Sequence, residues 1–266
     1  MTIYDELQRS VRAEEPIALT SVIAGSGTGC RMLVRPTGAT EGTLGHPELD
    51  RVVARDTVAE LEAGRSGVRR YGTEGQATPE DLAADEIVSV FVESFAPPPQ
   101  MWVFGAVDFT AALARVAKVL GYRVTVCDAR EVFATRRRFP MADEVVVSWP
   151  GPIFAERGHT LGRRDAVCIL THDPKFDVPA VLGALVTDVG YIGVMGSRRT
   201  HENRLRRLQE AGLDDADLSR LMSPIGLDIG ARTPEETAVS ICAEIIATHT
   251  GRSVPSLKHA RGPIHA

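Results

Sequence analysis

Cysteine is scarce and scattered in this sequence. The four residues, Cys30, Cys127, Cys168 and Cys242, lie far apart and form no C-x-x-C pair. That spacing excludes a disulfide framework and a structural zinc site. Cys127 and Cys168 end apolar runs, where a buried, inert thiol is expected. No apolar run approaches the roughly 20 residues that a membrane-spanning helix needs. The opening segment MTIYDELQRSVRAEEP lacks the basic and apolar regions of a signal peptide. Positive charge is not in excess either: the net charge is −5, so nucleic acid and anionic membrane exert no general pull. There is no phosphate-binding P-loop, no G-x-S-x-G elbow and no His-x-x-x-His metal spacing. The expectation is a soluble cytoplasmic protein without a structural metal.

What is present suits a globular chain of 266 residues, with 44% hydrophobic and 24% charged residues. Three consecutive prolines in FAPPPQ can continue neither a helix nor a central strand, and mark a stiff connector. The reading is a domain over residues 1–96, a linker over 97–100 and a second domain over 101–266. In the first, Ile3, Leu7 and Val11 recur at helical spacing. PIALTSVIAG and RMLVRP read as strands around the glycine-rich GSGTG turn. HPELDRVVARDTVAELEAG reads as a helix stopped at Gly64, and GVRRYG and DEIVSVFVESF as later strands. This half is α+β.

After the prolines, strand and helix alternate. MWVFGA, YRVTVCD, DEVVVS, DAVCIL and YIGVMG read as strands, with a short helix expected after YRVTVCD. Strands this apolar are buried on both faces, as in a parallel sheet. For the last helix, Thr233, Pro234 and Glu236 form a start signal, and Ala238, Ile241, Cys242 and Ile245 a buried stripe. The fold class is therefore α/β: a C-terminal Rossmann-like doubly wound parallel sheet with a smaller N-terminal α+β domain.

The first strand of that sheet runs into a turn resembling a dinucleotide site, G-x-G-x-x-G, but with Gly105, Val107 and Thr110 at the glycine places. Gly105 can make the tight turn. Val107 puts a branched side chain where a phosphate comes closest. Asp108 places a carboxylate where the helix dipole would hold the phosphate. The dipole favours that carboxylate by about 0.3–1 kcal/mol. Two unit charges about 4 Å apart repel by about 4 kcal/mol at an effective dielectric of 20, so repulsion wins. Asp128, at the end of the second strand, stands where a ribose-binding acid belongs, or caps the next segment.

A second turn, YIGVMGSRRTHENRLRRL, is basic. Gly196 and Ser197 precede a helix with Arg198 and Arg199 in its first turn, where cations oppose the dipole unless an anion sits there. Arg204, Arg206 and Arg207 extend this basic face. A solvated surface helix is the alternative. Thr171, His172 and Asp173 end the preceding strand, where open α/β sheets bind ligands. No residue is assigned a catalytic role.

Taken in order, VESFAPPPQMWVFGA, LGYRVTVCDAR, RRRFPMADEVV, THDPKFDVPAVLGAL, YIGVMGSRRT and PIGLDIGARTPEETAVSICAEI resemble the XdhC/CoxI accessory proteins of molybdenum hydroxylases such as xanthine dehydrogenase and carbon monoxide dehydrogenase. The resemblance implies a cofactor chaperone. Such a protein binds the molybdenum cofactor (molybdopterin or its cytosine dinucleotide), assists its sulfuration and delivers it to an apo-hydroxylase. A cysteine desulfurase is a further implied partner, and self-association is left open. The resemblance makes Ser197, Arg198 and Arg199 candidates for the cofactor's phosphate or nucleotide part, and the full candidate cofactor-binding set, with the turn and strand-end residues, is Gly105, Asp108, Asp128, Thr171, His172, Asp173, Gly196, Ser197, Arg198 and Arg199.

Two stretches depart from the family. GAVDFT stands where G-A-G-H-V-A is common, and GTLGHPELD where a G-G-G or S-G-G-C stretch is common. Two alternatives remain: a nucleotide-binding protein with weak hydrolase activity, and an NAD(P)-dependent oxidoreductase. If the altered turn is the obstacle, the double variant Val107→Gly, Asp108→His gains nucleotide affinity in calorimetry. Unchanged affinity would show that this turn never limited binding.

Overall fold

The computed structural model describes residues 2–76, 82–83 and 86–259. The chain divides between Pro97 and Pro98 into two compact units, Met1–Pro97 and Pro98–Ala266.

The first unit is built from α1 (Ile3–Arg12), β1 (Ile17–Ala24), β2 (Arg31–Val34), β3 (Thr40–Thr43), α2 (Pro47–Ala63), β4 (Gly67–Gly72) and β5 (Ile87–Phe95). Asp85, at the head of the predicted last strand, lies outside the described residues. The strands form one antiparallel sheet in the order β3-β2-β1-β5-β4. Val88, Val90 and Val92 alternate inward along β5 and are buried. Leu49, Val52 and Val53 of α2 join this core. Gly64 ends α2 in the left-handed conformation, as its sequence position predicts.

Two features differ from the sequence reading. Strand β3, Thr-Glu-Gly-Thr, has no apolar pattern and is exposed throughout, so nothing in its side chains announces it. Helix α1 buries Glu6 and Ser10, whereas Val11 is exposed. Glu6 is tolerated inside because Arg9 and Arg35 both pair with it.

The second unit contains β6 (Gln100–Phe104), α3 (Asp108–Val119), β7 (Arg123–Asp128), β8 (Glu144–Val147), α4 (Pro150–Arg157), β9 (Ala166–Ile169) and α5 (Pro174–Leu185). It continues through β10 (Tyr191–Val194), α6 (Arg198–Glu210), α7 (Asp215–Ser219), β11 (Leu221–Met222) and α8 (Pro234–Thr250). All six strands pair in parallel, in the order β11-β10-β9-β6-β7-β8. This is the doubly wound dinucleotide-fold arrangement, with its switch point between β6 and β9.

Alternation along β6 divides the core. Met101 and Val103 join Leu113 and Ala117 of α3 and Ile241 and Ile245 of α8. Trp102 and Phe104 join Phe154 of α4 and Phe176, Ala180 and Val181 of α5. Each fully buried large side chain contributes about 1.5–3 kcal/mol. Helix α8 starts with the predicted capping box, Thr233 with Glu236, and with Pro234 in its first turn.

The short helix expected after β7 does not form. Residues 131–138 make successive turns instead. Arg136 binds the carbonyls of Ala142 and Asp143, and Arg138 that of Ala106. Side chains thus satisfy loop carbonyls, while Phe139 is buried as an anchor.

Gly183 on α5 shows how tightly the helices meet. A Cβ there would collide with Cδ2 of Phe154. That ring stacks on Phe104 with centroids 5.1 Å apart and cannot easily retreat. In an open helix Gly→Ala gains up to about 1 kcal/mol, but overpacking costs about 1–3 kcal/mol. Gly183→Ala is therefore expected to lower stability by about 1–2 kcal/mol, read as a lower denaturant midpoint.

Candidate functional site

The carboxyl ends of the parallel strands enclose a cavity of about 560 Å³. Five of the six strand ends, β6 to β10, supply its wall. Val107, Asp108 and Phe109 follow β6; Asp128, Ala129 and Arg130 follow β7; Trp149 follows β8. Leu170, Thr171, His172, Asp173 and Phe176 follow β9, and Met195 follows β10. The volume suits a small organic ligand. The location is the one that this sheet topology reserves for ligands.

The turn after β6 is closed from inside the protein. Gly105 has φ +116°, and a Cβ there would come 2.5 Å from Cγ2 of Thr171. The glycine is thus required by the approach of the β9 loop as well as by the turn. Thr110, at the third glycine place, is buried, and its hydroxyl donates to the Gly105 carbonyl. Val107 is the N-cap of α3 and offers no side-chain cap, which leaves the helix N-terminus without a side-chain acceptor at the cavity wall. Asp108 is well exposed, and Arg138 reaches its Oδ1 at 3.4 Å. The repulsion anticipated for an anion at this turn is partly offset by that guanidinium.

Asp128 is buried at 2% exposure. Its Oδ2 accepts from the Ala106 backbone N–H at 2.7 Å and from Arg130 Nη2 at 2.8 Å. Its Oδ1 accepts from the Arg130 backbone N–H at 2.9 Å and from Arg130 Nε at 3.0 Å. Burial alone would raise its pKa. The hydrogen bonds from Arg130 and from the two backbone N–H groups prevail and hold it below the ordinary carboxylate range. Arg130 also lies over the Phe133 ring, 4.6 Å from its centroid.

In the wall that follows β8 and β9, Trp149 and Phe176 pack with ring centroids 5.7 Å apart. Trp149 remains 51% exposed. Asp173 caps α5 by accepting from the Lys175 N–H at 3.0 Å. His172 is exposed on the same loop. Cys127, just behind the site, is buried, and burial pushes its thiol up to about 12. It stays protonated at neutral pH, as an inert thiol should.

The structure therefore gathers Asp108, Asp128, Thr171, His172 and Asp173 around one cavity, with Gly105 against Thr171. Gly196, Ser197 and Arg199 are not part of its lining. Ser197 is the N-cap of α6 and accepts from the Thr200 N–H at 3.2 Å. The side chain of Arg198 lies outside the described residues. Arg206 and Arg207 are exposed, but Arg204 is buried. It shares a stripe with Leu208 one turn on. Its guanidinium binds Asp177, the Met195 carbonyl and Ser223. Asp177 in turn accepts the Thr171 hydroxyl.

The sequence reading missed Arg130, Trp149 and Phe176. The D-x-R pattern in VTVCDAR was a usable signal for Arg130. Nothing local marks the two aromatics as neighbours.

The buried pair behind the cavity gives a test. Removing one partner of a dry ion pair strands the other, at a cost of about 3–5 kcal/mol. Arg204→Ala is expected to destabilise by that amount in guanidinium unfolding, and a loss below about 1 kcal/mol would mean that the pair is effectively solvated.

Comparison with known proteins agrees with this geometry. The XdhC Rossmann domain model matches residues 101–245, and the XdhC and CoxI family model matches residues 10–72. A probable xanthine dehydrogenase subunit of Bacillus subtilis is 34% identical over 62% of this chain and 47% of its own length. The molybdenum cofactor insertion chaperone PaoD of Escherichia coli is 34% identical over 30% of this chain and 25% of its own. The chain thus spans less than half the length of these relatives. A crystal structure described as a xanthine dehydrogenase from Bacillus halodurans shares the fold, with a TM-score of 0.52 and 21% identity over 96% of this chain and 98% of that one. Among the described residues no helix is long and apolar enough to cross a membrane. Family models covering both halves, and a doubly wound sheet with its switch-point cavity, place this chain in the XdhC family.

Proposed function

We propose that this chain binds the molybdenum cofactor in the switch-point cavity and serves the maturation of a molybdenum hydroxylase. The observation that carries this reading is the cavity itself. Its volume suits a pterin-sized ligand. Trp149 offers a half-exposed ring face for stacking, with Phe176 packed against it at a tilt of 45°, and the uncapped N-terminus of α3 and Arg130 offer N–H donors to an acidic group. These residues fit a phosphorylated, planar cofactor. The relative named as a cofactor insertion chaperone supports the same reading.

The chemistry at molybdenum belongs to the cofactor; this chain binds it, orients it and keeps water from part of its surface. Trp149 and Phe176 hold the ring, and Arg130 holds a charged substituent. Thr171 is fixed by Asp177 and sets the cavity floor beside Gly105. No residue is assigned a catalytic role. Delivery to an apo-hydroxylase, assistance to sulfuration, contact with a cysteine desulfurase and a cytoplasmic setting complete the proposal. Gly196, Ser197, Arg198 and Arg199 are kept as a second anion-binding turn, of which Gly196, Ser197 and Arg199 lie outside the cavity lining.

Protein expressed with active cofactor synthesis is expected to copurify with molybdopterin or its cytosine dinucleotide, and to retain an apo-hydroxylase in a pull-down. Trp149→Ala should reduce cofactor occupancy about tenfold or more, the effect of losing one stacking contact of roughly 1.5 kcal/mol. No binding of either cofactor form at about 50 µM, equivalent to roughly −6 kcal/mol, would end this reading.

A further inference from the structure

The acid at the end of β7 is the residue that dinucleotide folds use to hold a ribose. Here it has no room for one. A carboxylate offers about four lone-pair sites. All four acceptor directions of Asp128 are taken, two by backbone N–H groups and two by Arg130. A ribose hydroxyl would have to displace a charge-assisted, two-point contact from a buried carboxylate.

Arg130, by contrast, is half-exposed on the cavity wall. Two of its five guanidinium N–H groups bind Asp128; the other three have no acceptor among the described residues. Two further carboxylates of the wall keep open acceptor sites. Among the described residues Asp108 meets only the long contact from Arg138, and Asp173 commits one oxygen to its cap. Paired N–H donors on the edge of a flat ring match such carboxylates in two-point geometry. The charged and titratable groups of this wall are thus Asp108, Asp128, Asp173, His172 and Arg130.

We infer that the Asp128–Arg130 clasp is a specificity device. It closes the ribose position and turns Arg130 toward an acidic substituent. The cavity then selects an amino-substituted heteroaromatic acid, stacked on Trp149, over a nicotinamide dinucleotide. This inference rests on reading the cavity as the cofactor site, and names the ligand class that the site recognises.

The chain offers a built-in reporter. It has two tryptophans: Trp102 is fully buried and Trp149 half-exposed on the cavity wall. The full chain is titrated with 6-carboxypterin and, separately, with NAD+, following tryptophan emission and calorimetric heat. Saturable quenching by 6-carboxypterin is expected, with NAD+ at least about tenfold weaker, and loss of most quenching in Trp149→Phe. Arg130→Ala is expected to weaken 6-carboxypterin by about tenfold and to strengthen NAD+ by a similar factor, because Asp128 regains two acceptor sites. The backbone N–H groups still hold Asp128 in that variant. Arg130→Lys, which keeps the charge but loses the fork, should fall between the two.

Equal affinity of the native chain for both probes would overturn the inference. So would an Arg130→Ala variant, shown folded by circular dichroism, in which NAD+ affinity is unchanged. Molybdopterin binding without any 6-carboxypterin binding would overturn the ligand class alone. Binding of 6-carboxypterin without binding of either cofactor form would overturn the cofactor reading and leave the clasp standing.

Discussion

One buried carboxylate ties the site together. Asp128 sits at the end of β7 and accepts the Ala106 N–H from the turn after β6. That bond fixes the distance between two strand ends that flank the cavity. An unpaired carboxylate at this depth would be very costly. Arg130 removes that cost and is itself positioned by doing so. The turn, the acid and the wall cation are consequently one unit, joined through the four hydrogen bonds that Asp128 accepts.

The same economy appears on the other side of the switch point. Thr171 gives its hydroxyl to Asp177, which is paired with Arg204. Its methyl group meets the space above Gly105. Polar partners deep in α5 and α6 therefore set the height of the cavity floor. The altered G-A-V-D-F-T turn is not a ruin of a dinucleotide site. Thr110 closes it, Val107 packs onto the core beneath α3, and Asp108 meets Arg138. Its residues agree with one another and with their neighbours, as in a consistently specified turn.

Much of the fold was legible in the chain. Strands β7, β9 and β10 are buried along nearly their whole length, and the apolar runs of β9 and β10 show the pattern that makes a parallel strand recognisable. Thr233, Pro234 and Glu236 announce α8 because a helix start needs only local partners. Strand β3 is invisible in the sequence because its pairing uses backbone groups alone. The segment after β7 forms turns and not a helix, with Arg136 satisfying the Ala142 and Asp143 carbonyls and Arg138 that of Ala106 after β6, a solution that no periodicity encodes. Of the site, Asp108, Asp128, Thr171, His172 and Asp173 were legible as strand-end residues. Trp149 and Phe176 were not, since they meet only when α4 and α5 pack together.

The sequence by itself determined the periodic elements, the proline break, the parallel sheet and the inertness of its buried cysteines. Each follows from local pattern or from burial of an apolar run. Tertiary structure decided what the polar residues do. It turned Asp128 from a candidate ribose ligand into the anchor of Arg130, drew Arg204 out of a supposed basic surface into a dry ion pair, and gave Ser197 to its own helix as a cap. A carboxylate or guanidinium takes its role from the partner within about 3 Å, because charge-assisted hydrogen bonds are short-ranged and directional. Those partners come from distant parts of the chain, so their pairing is written in the packing and not in the order of residues.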